Sequence, residues 1–253
     1  MKEKKLGVFL MAGDPTLDAS RSLLLEAAAG GADFLELGVP FSDPTADGPV
    51  IQKAAQRSLA RGTTVENVLQ LTASLKKDTD VPLYLLSYFN PIFNYGLEKF
   101  FRTAGEKGAA GVIIPDLPLE ERTELIPLAD KNQVALVPLL PPGLSGKRLT
   151  KLLQDARGFI YCVSVAGTTG ERKGFSSLLK KTMEEARTIT KLPLYAGFGV
   201  QNPQMACQAA AMTDGVIVGS NFVKEIPDSS SREDLLQKVR EKTILYKRAL
   251  LEA

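Results

Sequence analysis

The chain has 253 residues, of which 44% are hydrophobic, and its 31 basic and 29 acidic residues give a net charge of +2. This balance argues against the clustered basic surface of nucleic-acid-binding proteins, so we expect no nucleic-acid partner. No histidine occurs in the sequence. Because histidine is the most common metal ligand and proton-transfer group, we expect acid–base chemistry from other side chains and no metal site.

Short apolar runs alternate with helical patterns along the chain. The predicted strands span residues 6–12, 33–38, 82–88, 111–116, 134–140, 158–164, 192–198 and 214–220. Their almost wholly apolar composition is typical of parallel strands that are buried on both faces.

The first of these runs follows the basic residues 2–5, as the apolar part of a signal peptide would. It is short and no small-residue cleavage site follows it, so we predict a strand instead. No apolar run reaches 18 residues, and we therefore expect no membrane span. Cys162 and Cys207 lack a CxxC spacing and are expected to be reduced in a cytoplasmic protein.

The predicted helices show standard start and stop signals. A helix over residues 19–29 ends at a glycine pair, Pro49 opens the next helix, and Thr63 with Glu66 forms a capping-box pattern before a third. The last predicted helix spans residues 231–251. Eight strand–helix units without a break in composition predict a (β/α)8 TIM barrel, as one domain over residues 1–253, rather than a doubly wound sheet.

Two acidic residues distinguish the second predicted strand and the loop that follows it. Glu36 lies inside the apolar run 34–37, where a carboxylate needs a partner or a function. An ion pair with a neighbouring strand is the alternative, although the other predicted strands contain no lysine or arginine. Asp47 lies just before Pro49 and either faces Glu36 or merely caps the next helix. Because active sites of such barrels lie at the carboxyl ends of the strands, we predict Glu36 and Asp47 as the catalytic residues.

Glycine-bearing segments follow the last three predicted strands, at residues 166–170, 197–199 and 219–221. Glycine lets backbone N–H groups approach an anion closely, and the loops after strands 7 and 8 commonly hold phosphate in this fold. A single such turn is weak evidence, but three at consecutive strands predict a phosphate site.

Residues 35–49, LELGVPFSDPTADGP, resemble the signature of the tryptophan synthase alpha-subunit family. The segments GDP, YFNP, PDLP, GTTG, GFGV and GS fall in the order of that family, at residues 13–15, 88–91, 115–118, 167–170, 197–200 and 219–220. The resemblance covers nearly the whole chain. It departs at Thr45, where leucine is common, and at Pro115, where a small residue is often found.

The resemblance implies a lyase of tryptophan biosynthesis that cleaves indole-3-glycerol phosphate into indole and glyceraldehyde 3-phosphate by a retro-aldol reaction. It implies that Glu36 is the principal acid–base group and that Asp47 is the second catalytic carboxyl group. The substrate-binding residues that it implies are Phe9, Leu86, Tyr88 and Ile113 around the indole ring, Tyr161 and Thr169 beside the carboxylates and the loop after strand 6, and Gly170, Gly199, Gly219 and Ser220 around the phosphate.

The resemblance also implies an allosteric complex with a tryptophan synthase beta subunit, as a tetramer of two alpha and two beta subunits. Pyridoxal phosphate is expected only in the beta subunit, and no cofactor in this chain. We expect Asp43 and Pro44 to face the partner, and residues 167–177 to close over the substrate. Two alternatives stay open, namely another phosphate-binding barrel enzyme, such as a sugar-phosphate isomerase, and a catalytically silent barrel that serves as an allosteric partner of the beta subunit.

Overall fold

A computed structural model describes residues 3–163, 177–197 and 199–252. The strands are β1 (Lys5–Met11), β2 (Phe34–Gly38), β3 (Leu83–Leu86), β4 (Gly111–Ile113), β5 (Ala135–Val137), β6 (Leu139–Leu140), β7 (Ile160–Val163), β8 (Leu194–Gly197) and β9 (Gly215–Val218). The helices are α1 (Leu17–Ala29), α2 (Pro49–Ala60), α3 (Val65–Leu75), α4 (Phe89–Tyr95), α5 (Leu97–Glu106), α6 (Arg122–Lys131), α7 (Gly146–Gln154), α8 (Ser177–Ile189), α9 (Pro203–Ala210), α10 (Ser220–Val223), α11 (Glu225–Asp228) and α12 (Arg232–Leu251).

The strands form one parallel sheet that curves into a nearly closed barrel. Their order is β5-β4-β3-β2-β1-β9-β8-β7-β6, and the two ends of this order are consecutive pieces of the chain. The sheet therefore returns to its starting point, which confirms the predicted (β/α)8 barrel. β1 pairs with both β2 and β9, so the first apolar run is a central strand, as predicted.

The predicted fifth strand, residues 134–140, is in fact two short strands. β5 pairs with β4, whereas β6 pairs with β7. The prediction of one continuous strand was wrong because Pro138 lies between them and has no N–H to donate to a ladder. Arg122, a buried residue, donates to the carbonyl oxygens of Leu136 and Val137 at 2.9 and 3.3 Å. These bonds satisfy backbone acceptors beside the break.

Aromatic rings fill the amino-terminal end of the barrel. The rings belong to Phe34, Tyr84, Phe159 and Tyr195, with centroids 4.9 to 5.6 Å apart. A neighbouring glycine makes room for them, since a Cβ at Gly7 would lie 2.4 Å from the Phe34 ring. Glu36 lies two residues beyond Phe34 on the same face of β2, so it projects above this packed layer toward the open end of the barrel.

The helix boundaries agree with most of the predicted signals. α2 begins at Pro49, as predicted. The capping box of α3, however, is formed by Thr64 and Asn67, not by Thr63 and Glu66. The Asn67 side chain accepts from the Thr64 N–H at 3.0 Å. The amide oxygen of Asn67 thus takes the role that the carboxylate of Glu66 has in the predicted capping box, and the whole motif lies one residue further along the chain.

The last helix holds the amino-terminal end of the barrel. Lys247 on α12 forms ion pairs with Asp33 at 2.6 Å and with Glu3 at 2.9 Å, and Lys5 pairs with Asp33 at 2.9 Å.

Within the described parts of the chain, none of the helices has the length and apolar character that a membrane span requires.

Candidate active site

A cavity of about 690 Å³ opens at the carboxyl ends of the strands. The predicted site residues on its lining are Phe9, Glu36, Asp47, Leu86, Tyr161, Gly199, Gly219 and Ser220. The lining also includes residues that the sequence analysis did not single out, among them Ile51, Leu117, Leu119, Arg122, Leu139, Leu144, Val163 and Ile217. The fold thus brings both predicted carboxyl groups and the two predicted phosphate loops that the structure describes, those after β8 and β9, to one cavity.

Glu36 reaches the cavity from the middle of β2. Its side chain is 1% exposed, and neither carboxyl oxygen has a hydrogen-bond partner among the described residues. This result excludes the ion pair that was the alternative from the sequence. Burial, and then the negative charge of Asp47, raise the pKa of Glu36 to about 8. Glu36 therefore holds its proton at neutral pH.

Asp47 faces the same cavity from the loop between β2 and α2. The Tyr88 hydroxyl donates to Asp47 Oδ2 at 3.1 Å and accepts from the Ala46 N–H at 2.9 Å. The residue that caps α2 is Gly48, so Asp47 is not its cap. Burial raises the pKa of Asp47 to about 6, and the hydrogen bond from Tyr88 opposes this rise.

The two carboxyl groups therefore differ in protonation at neutral pH. Glu36, with a pKa of about 8, is mainly neutral, whereas Asp47, with a pKa of about 6, is mainly ionised. Such a split suits one group to act as an acid and the other to remain an anion. Among the described residues, no three histidine, cysteine or acidic side chains lie together as a metal site would require.

Tyr161 lies beside this pair on β7 and is 3% exposed. Burial, and then the charges of Glu36 and Asp47, hold the pKa of Tyr161 well above its usual value, so the hydroxyl keeps its proton. A Cβ at Gly197 would lie 2.2 Å from the Tyr161 ring. The glycine that ends β8 is therefore needed for the close approach of this ring.

Phe9 and Leu86 form part of the apolar wall of the cavity. The Phe9 ring lies close to two glycines, since a Cβ would come within 2.7 Å of it at Gly38 and within 3.0 Å at Gly219. Any side chain at either glycine would displace the ring. The position of Phe9 therefore depends on the absence of side chains on the strands beside it.

Two residues predicted for the indole pocket lie behind the lining. Ile113 and Tyr88 are 0% and 2% exposed, and neither contributes to the described lining. Tyr88 reaches the site through its bond to Asp47 instead. Ile217, which does line the cavity, could have been predicted from the sequence, because it lies two residues before the predicted glycine of the last strand and so faces the same side. Ile51 lies on α2, and no sequence pattern indicated that it would line the cavity.

The glycine loops form another part of the cavity. Gly199, with a φ of 81°, follows β8, and Gly219 and Ser220 follow β9. The arginines on the described lining are Arg122 and Arg148, which belong to α6 and α7 and not to these loops. The described residues of these loops therefore contribute backbone groups rather than basic side chains to the lining.

The remaining predicted residues lie elsewhere. Thr169 and Gly170 are outside the described residues, as is nearly all of the segment 167–177. Asp43 is exposed, and its carboxylate accepts a hydrogen bond from Ser42 Oγ, whereas Pro44 is buried within the chain. Asp43 is thus accessible to a partner. Pro44 is not, and it would affect partner binding only through the conformation of the loop.

The fold is a (β/α)8 barrel, and the cavity at the carboxyl ends of its strands contains one protonated and one ionised carboxyl group. The model of the tryptophan synthase alpha chain family matches residues 1–250. The chain belongs to this family and is a lyase of the tryptophan synthase system. This membership excludes the sugar-phosphate isomerase that the sequence left open.

Individual relatives agree with this result. The tryptophan synthase alpha chain of Caldanaerobacter subterraneus subsp. tengcongensis is 39% identical over 239 residues, covering 94% of this chain and 91% of the relative. That of Alkaliphilus metalliredigens is 45% identical over 224 residues, covering 88% and 84%. The crystal structure of tryptophan synthase subunit alpha from Legionella pneumophila has a TM-score of 0.90 at 37% identity, covering 99% of this chain and 94% of that chain.

Proposed function

We propose that this chain cleaves indole-3-glycerol phosphate into indole and glyceraldehyde 3-phosphate in tryptophan biosynthesis. The observation that carries the proposal is the presence, in one cavity, of a neutral Glu36 that has no hydrogen-bond partner among the described residues and of an ionised Asp47. A retro-aldol cleavage of this substrate needs both, because the indole carbon must be protonated and the resulting cation must be stabilised. A volume of about 690 Å³ is ample for such a ligand.

Glu36 is the proton-transfer group of this reaction. It gives its proton to C3 of the indole ring, which becomes a cation. The bond between C3 and the hydroxyl-bearing carbon of the side chain then breaks, and its electron pair restores neutral indole. The hydroxyl group loses its proton to Glu36 as the aldehyde forms, so the carboxyl group ends in its starting state.

Asp47 accepts a hydrogen bond from the indole N–H and stabilises the positive charge on the ring. Tyr88 holds this carboxylate in place and favours its ionised form. Phe9 and Leu86 would contact the ring, with Ile113 packed behind them. This geometry supports a division of labour in which one carboxyl group moves protons and the other remains an anion.

Backbone N–H groups near Gly199, Gly219 and Ser220 would hold the phosphate group, as glycine loops do in this fold. Gly170 and Thr169 belong to the same proposal by family resemblance. The support is the position of the glycine loops on the cavity and the absence of basic side chains from their described residues on the lining.

The working form that we propose is a cytoplasmic complex with a tryptophan synthase beta subunit, made of two alpha and two beta subunits. This chain would act as a single domain over residues 1–253, without a cofactor of its own, and pass indole to a beta subunit that binds pyridoxal phosphate. The support is the family, whose members are named alpha chains. Asp43, which is exposed on the loop that also carries Asp47, is the proposed contact residue.

The substitution Glu36→Gln tests the catalytic proposal. It keeps the size of the side chain but removes the acid, and general acid–base catalysis contributes about 10²–10⁴-fold. Because Glu36 acts twice, we expect a loss at or above the top of that range in indole release. Glu66→Gln, on α3 and outside the cavity lining, is the matched control. Near-normal turnover by folded Glu36→Gln would reject the proposal, and wild-type protein that releases no indole with or without beta subunit would favour the silent barrel.

The substitution Asp43→Ala tests the coupling proposal. Asp43 and Asp47 share one proline-stiffened loop, so a partner group that binds Asp43 would move Asp47. Coupling free energies are about 1–3 kcal/mol, or roughly 5- to 150-fold. We expect similar rates for the isolated proteins and a much weaker activation of Asp43→Ala by saturating beta subunit. Asp78→Ala, an exposed aspartate beyond α3, is the control. Equal activation of Asp43→Ala and wild type would reject Asp43 as the transmitter.

A further inference from the structure

The loops after β8 and β9 both reach the cavity. Among the described residues, the register of β8 with β9 includes the pair Ala196–Val216. Gly199 and Gly219 each lie three residues beyond that pair. The backbone groups that are proposed to hold the phosphate therefore lie beyond the described register of these two strands.

Asn221 bridges these two loops. It lies in α10, directly after Ser220, and is 8% exposed. Its side-chain amide donates a hydrogen bond to the carbonyl oxygen of Gln201, in the loop after β8. Gln201, like Gly199 and Ser220, lines the cavity. One buried amide thus joins two segments of the lining that lie beyond the described register of β8 and β9.

Lys242 supports the same residue from α12. Its ammonium group donates to the carbonyl oxygen of Asn221 at 2.8 Å and forms an ion pair with Glu225. The Lys242 side chain is only 18% exposed. The main chain at Asn221 is therefore held by the outer helix, while its side chain holds the neighbouring loop.

We propose that Asn221 is a positioning residue for phosphate recognition, which it serves by tying the Gly199 loop to the Gly219 loop. The inference rests on the proposed phosphate site. Two loops held at a fixed spacing present their N–H groups to one phosphate without rearrangement. Without the tie, binding would have to order each loop separately, which weakens affinity.

The test is Asn221→Ala in the full chain, measured with substrate and with two partial ligands. One lost hydrogen bond corresponds to roughly a 3- to 10-fold change in affinity. We expect KM for indole-3-glycerol phosphate and Kd for glycerol 3-phosphate to rise by this factor, with kcat changed by less than about twofold. Kd for indole, which has no phosphate, should not change. Asn132→Ala is the matched control. The Asn132 side-chain amide also donates to a backbone carbonyl oxygen, which belongs to α6, and Asn132 is not part of the cavity lining.

The possible results separate this inference from the function on which it rests. Unchanged glycerol 3-phosphate affinity in folded Asn221→Ala overturns it, and Gly219→Val then shows whether the phosphate site fails too. Equal losses for indole and glycerol 3-phosphate would indicate a general structural role and also overturn it. If Asn221→Ala does not fold, Asn221→Ser, whose side chain stops short of Gln201, is judged by the same criteria.

Discussion

Removing one hydroxyl group, with Tyr88→Phe, tests how the charge of Asp47 is maintained. The Tyr88 hydroxyl donates to Asp47 Oδ2 at 3.1 Å and favours the ionised carboxylate. The substitution keeps the buried ring but removes this donor, and the Ala46 N–H loses its acceptor as well. The pKa of Asp47, which burial already raises to about 6, should therefore rise further.

The size of this effect follows from the geometry. A hydrogen bond to a charged group contributes about 1.5–3 kcal/mol, and about 1.36 kcal/mol corresponds to one pKa unit. The distance of 3.1 Å between Tyr88 Oη and Asp47 Oδ2 is long for a charge-assisted bond, which favours the lower end of that range. The acid limb of kcat/KM, expected near pH 6, should thus move up by about one pH unit. The alkaline limb near pH 8, which Glu36 sets, should stay in place.

The assay is the initial rate of indole release at low substrate concentration across the pH range. The phosphate of the substrate titrates near pH 6 as well, but it does so equally for both proteins and cancels in the comparison. Tyr95→Phe removes a similar tyrosine–carboxylate bond, to Glu66, and should keep the wild-type profile. An unmoved acid limb in a Tyr88→Phe protein of normal Tm would refute the argument that Tyr88 sets the charge of Asp47.

Three further substitutions test other parts of the structure. Glu36→Gln should stabilise the protein more at pH 9 than at pH 5, with the difference in free energy of unfolding larger by up to about 4 kcal/mol, as measured by urea unfolding. The reason is that Glu36 of the wild type holds its proton up to about pH 8 when folded but only to about pH 4.5 when unfolded, so the wild type loses stability as the pH rises between these values. The same difference at both pH values would contradict a neutral, buried Glu36. Gly219→Val adds a side chain at the proposed phosphate site, where the backbone must approach the anion closely, so calorimetry should show a loss of glycerol 3-phosphate binding. A Cβ there would also lie 3.0 Å from the Phe9 ring, so a loss of indole binding should accompany it, and unchanged phosphate affinity would locate the anion elsewhere. Tyr246→Phe removes a buried hydroxyl that has no partner among the described residues, so thermal unfolding should show equal or slightly greater stability, by about 1 kcal/mol at most, whereas a clear loss would reveal a missing partner.

The barrel could be predicted because alternation and composition are local properties of the sequence. Apolar runs of strand length record which segments are buried on both faces, and the first run was assigned correctly despite its basic flank. The fifth run failed in one detail, since hydropathy treats Pro138 as one more apolar residue although it cannot donate to a ladder. The shift of pairing from β4 to β7 is a tertiary property that no local pattern carries.

The residues of the candidate site also differ in whether a local sequence pattern could predict them. Glu36 could be singled out because a carboxylate within an apolar strand is anomalous by itself. The bond between Tyr88 and Asp47 could not be predicted, because the two residues are 41 positions apart and no local pattern links them. The tie from Asn221 to Gln201 spans 20 positions and was equally invisible. Single residues in improbable environments are thus predictable, whereas contacts between ordinary residues need the fold.

The break at Pro138 leaves the wall of the barrel mouth uneven. The ladder between β4 and β5 ends at the pair Ile113–Val137, and the chain beyond it pairs with β7 instead. Above that point, side chains such as Leu117 and Pro141 line the cavity on this flank. The cavity wall on this flank is formed by side chains of loops, whereas β1, across the barrel, pairs with a strand on either side. Tolerance toward enlarged substrates should therefore be directional, with bulky substituents accepted on the flank between β4 and β6 and rejected toward β1.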